Sequence, residues 1–154
     1  MKARDLMTPD PTTCRPSDDL RAVLEVMRKE DCGIVPITEG NGEHRVVGVV
    51  TDRDIALALG ERDEKPSAVR ASEAMTTDIV SCEPDADVRE VSRRMQESQV
   101  RRVLIAEGGR LLGVVSTADL ARASTKSGTD RVGEEVEKVM EKVSEDTGSQ
   151  RSRA

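Results

Sequence analysis

The chain of 154 residues repeats itself, and this constrains its fold more than any other feature. Met7-Thr8 returns as Met75-Thr76, Cys14 as Cys82, Pro16 as Pro84, Asp19 as Asp87, Val23 as Val91 and Met27 as Met95, all at one offset. The match runs on through Val35 and Val103, Ile37 and Ile105, and Gly40 and Gly108. The second copy then has a shorter loop, so that Gly48-Val49-Val50 answers Gly113-Val114-Val115. A unit this short buries too little surface to stand alone, so the two copies are expected to pack together as one body.

Within the first copy, Ser17 is placed to cap a helix whose first turn carries Asp18 and Asp19. Leu20, Val23, Leu24 and Met27 recur at helical spacing and read as its core face. An apolar run, Ile34-Val35-Pro36-Ile37, leads to the turn signal Gly40-Asn41-Gly42 and a second run, Val46-Val47-Gly48-Val49-Val50. A helix follows from Thr51 or Asp52 to about Leu59. The second copy repeats the order, and short first strands are expected near residues 12–14 and 79–82.

The predicted class is α/β (α+β): two pseudo-twofold-related β-α-β-β-α repeats plus a C-terminal amphipathic helix. The expected divisions are repeat 1 over 1–60, a polar surface linker over 61–71, repeat 2 over 72–124, the amphipathic helix over 125–146 and a flexible tail over 147–154. Val132, Val136, Val139, Met140 and Val143 fall on one stripe of that last helix and are expected to pack on the body or on a dimer mate.

Composition removes several function classes. The 24 Lys and Arg against 30 Asp and Glu leave a formal charge of -6, a poor match to a polyanion, so nucleic acid is not the expected ligand. No apolar run reaches the roughly 20 residues of a membrane span, and no apolar stretch near Met1 resembles a secretory signal. A cytoplasmic protein without membrane contact is expected. Cys14, Cys32 and Cys82 with the lone His44 make neither a disulfide framework nor a zinc site. The absence of Phe, Tyr and Trp means that any bound purine must lie between aliphatic side chains and be read by backbone.

The third strand of each copy ends in the same pattern: Gly, two apolar residues, a hydroxyl, two further residues, then Asp. It occurs as Gly48 to Asp54 and as Gly113 to Asp119. A hydroxyl at a helix start, with free N–H groups behind it, suits an anion, and an ionised carboxylate one turn later suits a sugar diol. The same spacing also serves as a capping box, and both uses stay open here. Asp52 and Asp54 have the chemistry to hold Mg²⁺ beside phosphates, although a cap and a diol acceptor are the commoner roles. No Ser or Cys has a visible base partner, so no enzyme is expected.

These residues resemble a tandem pair of cystathionine-β-synthase (CBS) domains, the Bateman module, across residues 1 to about 124. The resemblance rests on Asp5-Leu6-Met7-Thr8 and Glu73-Ala74-Met75-Thr76, on the strand from Val100 to Ile105, and on the two Gly-x-x-[Ser/Thr]-x-x-Asp ends. It implies adenosine nucleotide binding in clefts between the repeats. Thr51 and Ser116 would reach phosphate, Asp54 and Asp119 the ribose, and main chain near Ile79 and Val80 and near Thr12 and Thr13 the adenine.

The copies differ, because Arg101 and Arg102 align with Gly33 and Ile34, so Ser116 and Asp119 are expected to contribute more than Thr51 and Asp54. Leu104 stands where the first copy has Pro36, a departure expected to alter stiffness more than ligand chemistry. The expected function is a regulatory module that senses AMP, ADP, ATP or a related adenosyl ligand, with Mg²⁺ as an optional companion, and acts on an unknown protein partner in trans. The alternative is a dimerisation and interaction scaffold with empty clefts. A homodimer is expected in either case, because Ile55-Ala56-Leu57-Ala58-Leu59 is apolar on all sides of a helix and Leu120-Ala121-Arg122-Ala123 partly so.

Overall fold

The structure, a computed structural model, describes residues 1–127, 133–134 and 136–142. Its elements run α1 (Ala3–Leu6), β1 (Thr8–Pro9), α2 (Leu20–Glu30), β2 (Ile34–Glu39), β3 (Arg45–Thr51), α3 (Asp52–Arg62), a 3-10 turn (Pro66–Ala68), α4 (Ala71–Ala74), β4 (Ser81–Cys82), α5 (Val88–Ser98), β5 (Arg102–Glu107), β6 (Arg110–Ser116) and α6 (Thr117–Ser127). The chain is thus a mixed α/β protein in which β-α-β-β-α occurs twice, the first strand of copy one being reduced to a parallel bridge between Cys14 and Ile37. Among the described residues no helix is long and apolar enough to cross a membrane.

Two compact units result. One joins residues 11–79 to 108–111, and the other joins residues 1–10, 80–107 and the described residues from 112 onward. Each repeat's short opening segment is therefore grouped with the other repeat. Ala3 and Leu6 lie in a core with Val88, Val91, Met95, Val103 and Leu120, while Val69 and Ala71 lie in a core with Leu20, Val23, Met27, Val35 and Val50. The backbone repeats the exchange, because Ala3 N–H donates to the Ala86 carbonyl at 2.8 Å and Leu20 N–H to the Val69 carbonyl at 2.8 Å. The stretch 61–71 accordingly carries more structure than its polar composition suggests, with Val69 and Ala71 fully buried.

The cap of α2 is Asp19, whose carboxylate accepts from Ala22 N–H at 2.9 Å, and not Ser17. Ser17 instead sits in a turn closed by Asp18 N–H to the Arg15 carbonyl at 3.0 Å, and this turn is held by Ala71 N–H donating to the Asp18 carbonyl and Ser72 N–H to the Pro16 carbonyl. Asp87 caps α5, its carboxylate accepting from Arg89 N–H at 2.9 Å. Leu20, Val23 and Met27 are buried as expected, but Leu24 is 37% exposed, so the core stripe is narrower than the apolar pattern. The β2–β3 hairpin pairs Ile34 with Thr51 and Glu39 with Arg45, with a register shift between Ile37 and Thr38. Its turn uses Gly40 (φ +90°) and Gly42 (φ +83°), a region most side chains avoid.

Gly48 and Gly113 are required by contact. A Cβ on Gly113 would lie 2.6 Å from Met7 Sδ and 2.8 Å from the Thr8 carbonyl oxygen; on Gly48 it would lie 2.7 Å from Met75 Sδ and 3.0 Å from the Thr76 oxygen. The Met-Thr and Gly-Val-Val motifs of the sequence are two sides of one packing contact, made once in each unit.

Residues 133–134 and 136–142 are helical; Val139 is fully buried against the core of its unit, Val136 packs beside it, and Met140 is largely exposed. Val132, Val143 and the tail over 147–154 lie outside the described residues. Burying a valine contributes about 1.5–3 kcal/mol, and a chain of this size shifts by about 2–4 °C per kcal/mol. Ending the chain at Ser127 is expected to lower the melting temperature by roughly 3–10 °C in a calorimetric scan. An unchanged midpoint would show that this helix adds nothing.

Candidate functional site

Both hydroxyl-to-carboxylate motifs fall at strand-to-helix junctions. At α3, Thr51 Oγ1 accepts from Asp54 N–H at 3.2 Å while Thr51 N–H donates to Asp54 Oδ2 at 2.8 Å. At α6, Asp119 N–H donates to Ser116 Oγ at 3.3 Å, and both Ser116 N–H and Oγ–H donate to Asp119 Oδ2 at 2.7 Å. The capping box is therefore formed in each unit. It leaves one carboxylate oxygen in each pair outside the box, and all four side chains are half-buried.

The two junctions treat that oxygen differently. Asp54 Oδ1 accepts a long 3.4 Å bond from Thr76 Oγ1. Asp119 Oδ1 is ion-paired with Arg122, which is 69% exposed whereas Asp119 is only 10% exposed. Thr76 stands in the repeated Met-Thr motif, which by itself gives it no place at the cap, and Arg122, three residues after Asp119 on one helix, is legible by spacing.

Their electrostatics also differ. The first N–H of each helix is taken by backbone: Asp52 N–H donates to Gly33 and Thr117 N–H to the Arg101 carbonyl at 3.0 Å. Arg101 thus sits beside Ser116, where the other unit has only Gly33. Asp52 also takes Arg53 N–H at 2.8 Å and places a negative charge at the start of α3, whereas the corresponding Thr117 brings none. Arg101 is exposed and Arg102 half-buried, and neither guanidinium has a hydrogen-bond or ion-pair partner among the described residues. The start of α3 therefore carries a negative charge that the start of α6 lacks.

Val80 falls in the unit that holds Ser116 and Asp119, whereas Ile79, Thr12 and Thr13 fall with Thr51 and Asp54. Thr12 Oγ1 donates to Glu30 at 3.2 Å, and Thr13 Oγ1 accepts from Thr38 Oγ1 at 3.1 Å, so both hydroxyls are already engaged. The Val80 carbonyl accepts from Leu104 N–H at 3.1 Å. In the first copy that donor's place is held by Pro36, which has no N–H, so the Thr12 carbonyl receives no such bond. The Pro36-to-Leu104 difference therefore changes which of the two carbonyls carries a backbone hydrogen bond.

The remaining reactive groups are quiet. Burial pushes the Cys14 thiol up to about 11, with Asp18 adding to the effect, and burial also raises Cys82, so both stay protonated at neutral pH. All three cysteines are free thiols. Among the described residues no three His, Cys, Asp or Glu side chains converge to hold a metal ion, so Asp52 and Asp54 are left with capping geometry and no third ligand.

Residues 3–61 and 71–126 both match the CBS domain. The chain belongs to the CBS-domain family. This CBS-domain chain is 37% identical over 120 residues to the Bacillus subtilis protein YlbB, covering 78% of this chain and 80% of that protein. It is 34% identical over 120 residues to hypoxic response protein 1 of Mycobacterium tuberculosis, covering 78% and 82%. A crystal structure of Hypoxic Response Protein I with two coordinated zinc ions superposes with a TM-score of 0.71 at 34% identity, covering 79% of this chain and 98% of that one. The structure of CBSX2 in complex with AMP shares the fold, with a TM-score of 0.71 at 22% identity and coverage of 83% and 98%.

Proposed function

We propose that the chain is a regulatory module that binds an adenosine nucleotide at its two hydroxyl–carboxylate caps and alters what a protein partner meets. The observation that carries this reading is the duplicated cap itself. Each copy puts a hydroxyl at a helix N-terminus and leaves one carboxylate oxygen outside the capping box. That pair offers a hydroxyl at the positive end of a helix for phosphate and an ionised acceptor for a ribose diol. The AMP complex of CBSX2, a protein of the same fold, supports the ligand class. In this reading Ser116, Arg101 and Arg102 serve phosphate, Asp119 and Asp54 the ribose, and main chain at Thr12, Thr13, Ile79 and Val80 the base. Thr51 plays the part of Ser116 at the weaker cap.

A homodimer is part of the same proposal. Leu57 is 52% exposed on α3, beside exposed Ala56, so this helix carries an apolar face that a second copy would bury. Light scattering at micromolar concentration is expected to give twice the mass of the chain.

The direct test is an ultraviolet spectrum followed by calorimetric titration of AMP and ATP. Without Phe, Tyr or Trp the protein is nearly transparent where nucleobases absorb, so carried-over nucleotide is visible at once. Saturable heat with either nucleotide is expected. Absence of both bound base and heat would favour the scaffold in which the carboxylates only cap their helices.

A further inference from the structure

We propose that Arg45 and Arg110 form a separate binding site for a phosphate-class oxyanion, at the far end of β3 and β6 from the caps. The two arginines are Cα partners in an antiparallel pair. The flanking bonds are Val46 N–H to the Gly109 carbonyl and Leu111 N–H to the His44 carbonyl, both 3.0 Å. This is the pattern of a non-hydrogen-bonded pair, in which opposed Cα atoms are only about 4.5 Å apart and the side chains share one face. Like charges directly opposite each other are unfavourable in a sheet. The chain nevertheless places arginine at this position in both copies, and the two meet.

Among the described residues no carboxylate pairs with either arginine. Other arginines are paired, Arg28 with Glu25, Arg62 with Glu73 and Arg93 with Glu90. Arg45 and Arg110 are exposed and have no ion pair among the described residues. Glu39 faces Arg45 from β2 in register, yet forms no ion pair with it. The Glu43 carboxylate folds toward Gly40, where its Oε2 lies 3.4 Å from the place a Cβ would occupy.

The arginines line a concavity of about 350 Å³ together with Gly42, Glu43 and Gly108. That volume is at the small end of ligand pockets and exceeds what one phosphate needs. The glycine walls leave backbone open to a compact ligand, and two guanidinium forks match the oxygens of a multivalent anion such as pyrophosphate or the phosphate arm of a nucleotide. Each strand runs six residues from its arginine to its cap, about 20 Å at a strand's rise, so the site is distinct from Thr51 and Ser116.

The test uses the full chain at low salt, with pyrophosphate titrated calorimetrically into wild type, Arg45→Gln, Arg110→Gln and the double variant. Loss of one charge-assisted contact is expected to weaken binding about 10-fold or more, and the double variant is expected to lose this binding event. Arg45→Lys, which keeps the charge but not the fork, is expected to fall between. Any pyrophosphate heat that persists in the double variant and is lost in Arg101→Gln belongs to the cap at α6, which keeps this result separate from the nucleotide proposal. Melting without anion supplies a second readout, because relief of repulsion should leave the Gln variants at or above the wild-type midpoint while only wild type rises when pyrophosphate is added. Displacement of pyrophosphate by ATP but not adenosine would identify a nucleotide arm as the natural source, and indifference to ATP a free polyanion. No heat with wild type, or equal heat with the double variant, would overturn the site.

Discussion

Replacing Gly113 with alanine is expected to lower the melting temperature by about 2–12 °C. The added Cβ meets Met7 Sδ at 2.6 Å and the Thr8 carbonyl oxygen at 2.8 Å. The methionine can swing aside, but the backbone oxygen belongs to β1, which pairs Thr8 with Val114 and Pro9 with Gly113. Relief therefore moves a strand, and overpacking of this kind costs about 1–3 kcal/mol, or roughly 2–4 °C for each in a chain of this size. Gly48→Ala should cost less, because its backbone contact with Thr76 is 3.0 Å and the harder clash is with the flexible Met75. Gly60 is the control: it is helical, nothing lies within 4 Å of its added Cβ, and alanine there should stabilise by up to about 1 kcal/mol. Adding Met7→Ala to Gly113→Ala should recover only the sulfur part of the loss in a double-mutant cycle. Equal midpoints for the Gly113 and Gly60 variants would dissolve the link between the Met-Thr and Gly-Val-Val motifs.

That link marks where the sequence stopped being legible. The repeat and its helical and alternating periods gave the β-α-β-β-α order, because each element's period is written in contiguous residues. Which copy an opening segment joins is not written there. Ala3 and Ala71 are equivalent in sequence and both fully buried, and nothing local says that each joins the other copy's core. Val69 was hidden for a related reason: a single valine in a polar stretch has no period, although tertiary packing buries it completely. At the site, the hydroxyl and carboxylate were visible as a spaced pair, and the caps they form follow from local geometry. Thr76 and Arg101 reach the caps through pairings across distant chain segments: comparing the copies marks both residues, but nothing contiguous places Thr76 at the Asp54 carboxylate. The arginine pair escaped altogether, since Arg45 and Arg110 each read alone as a solvated strand end.

Calorimetry of AMP binding should separate the two caps, with Asp119→Ala weakening affinity about 10- to 100-fold and Asp54→Ala much less. The range follows from losing a hydrogen bond to a charged acceptor, about 1.5–3 kcal/mol. Against this stands the ion pair of Arg122 with Asp119, which a ribose must displace. The Arg122 side of the pair lies mostly in solvent and is screened there, so swinging it away costs less than the new contacts return. The first cap lacks that competitor but carries Asp52 at its helix start and Gly33 in place of Arg101, so its phosphate end is weaker. Arg101→Gln should therefore reduce affinity for AMP while leaving adenosine unaffected. Either aspartate variant also loses a capping box, worth about 1 kcal/mol of stability, so the two roles need separate readouts. Asp119→Asn keeps an acceptor for the cap and removes the charge. A lowered midpoint with unchanged AMP affinity in Asp119→Ala would reduce the carboxylate to a cap, and weaker binding in Asp54→Ala than in Asp119→Ala would reverse the ranking of the two sites.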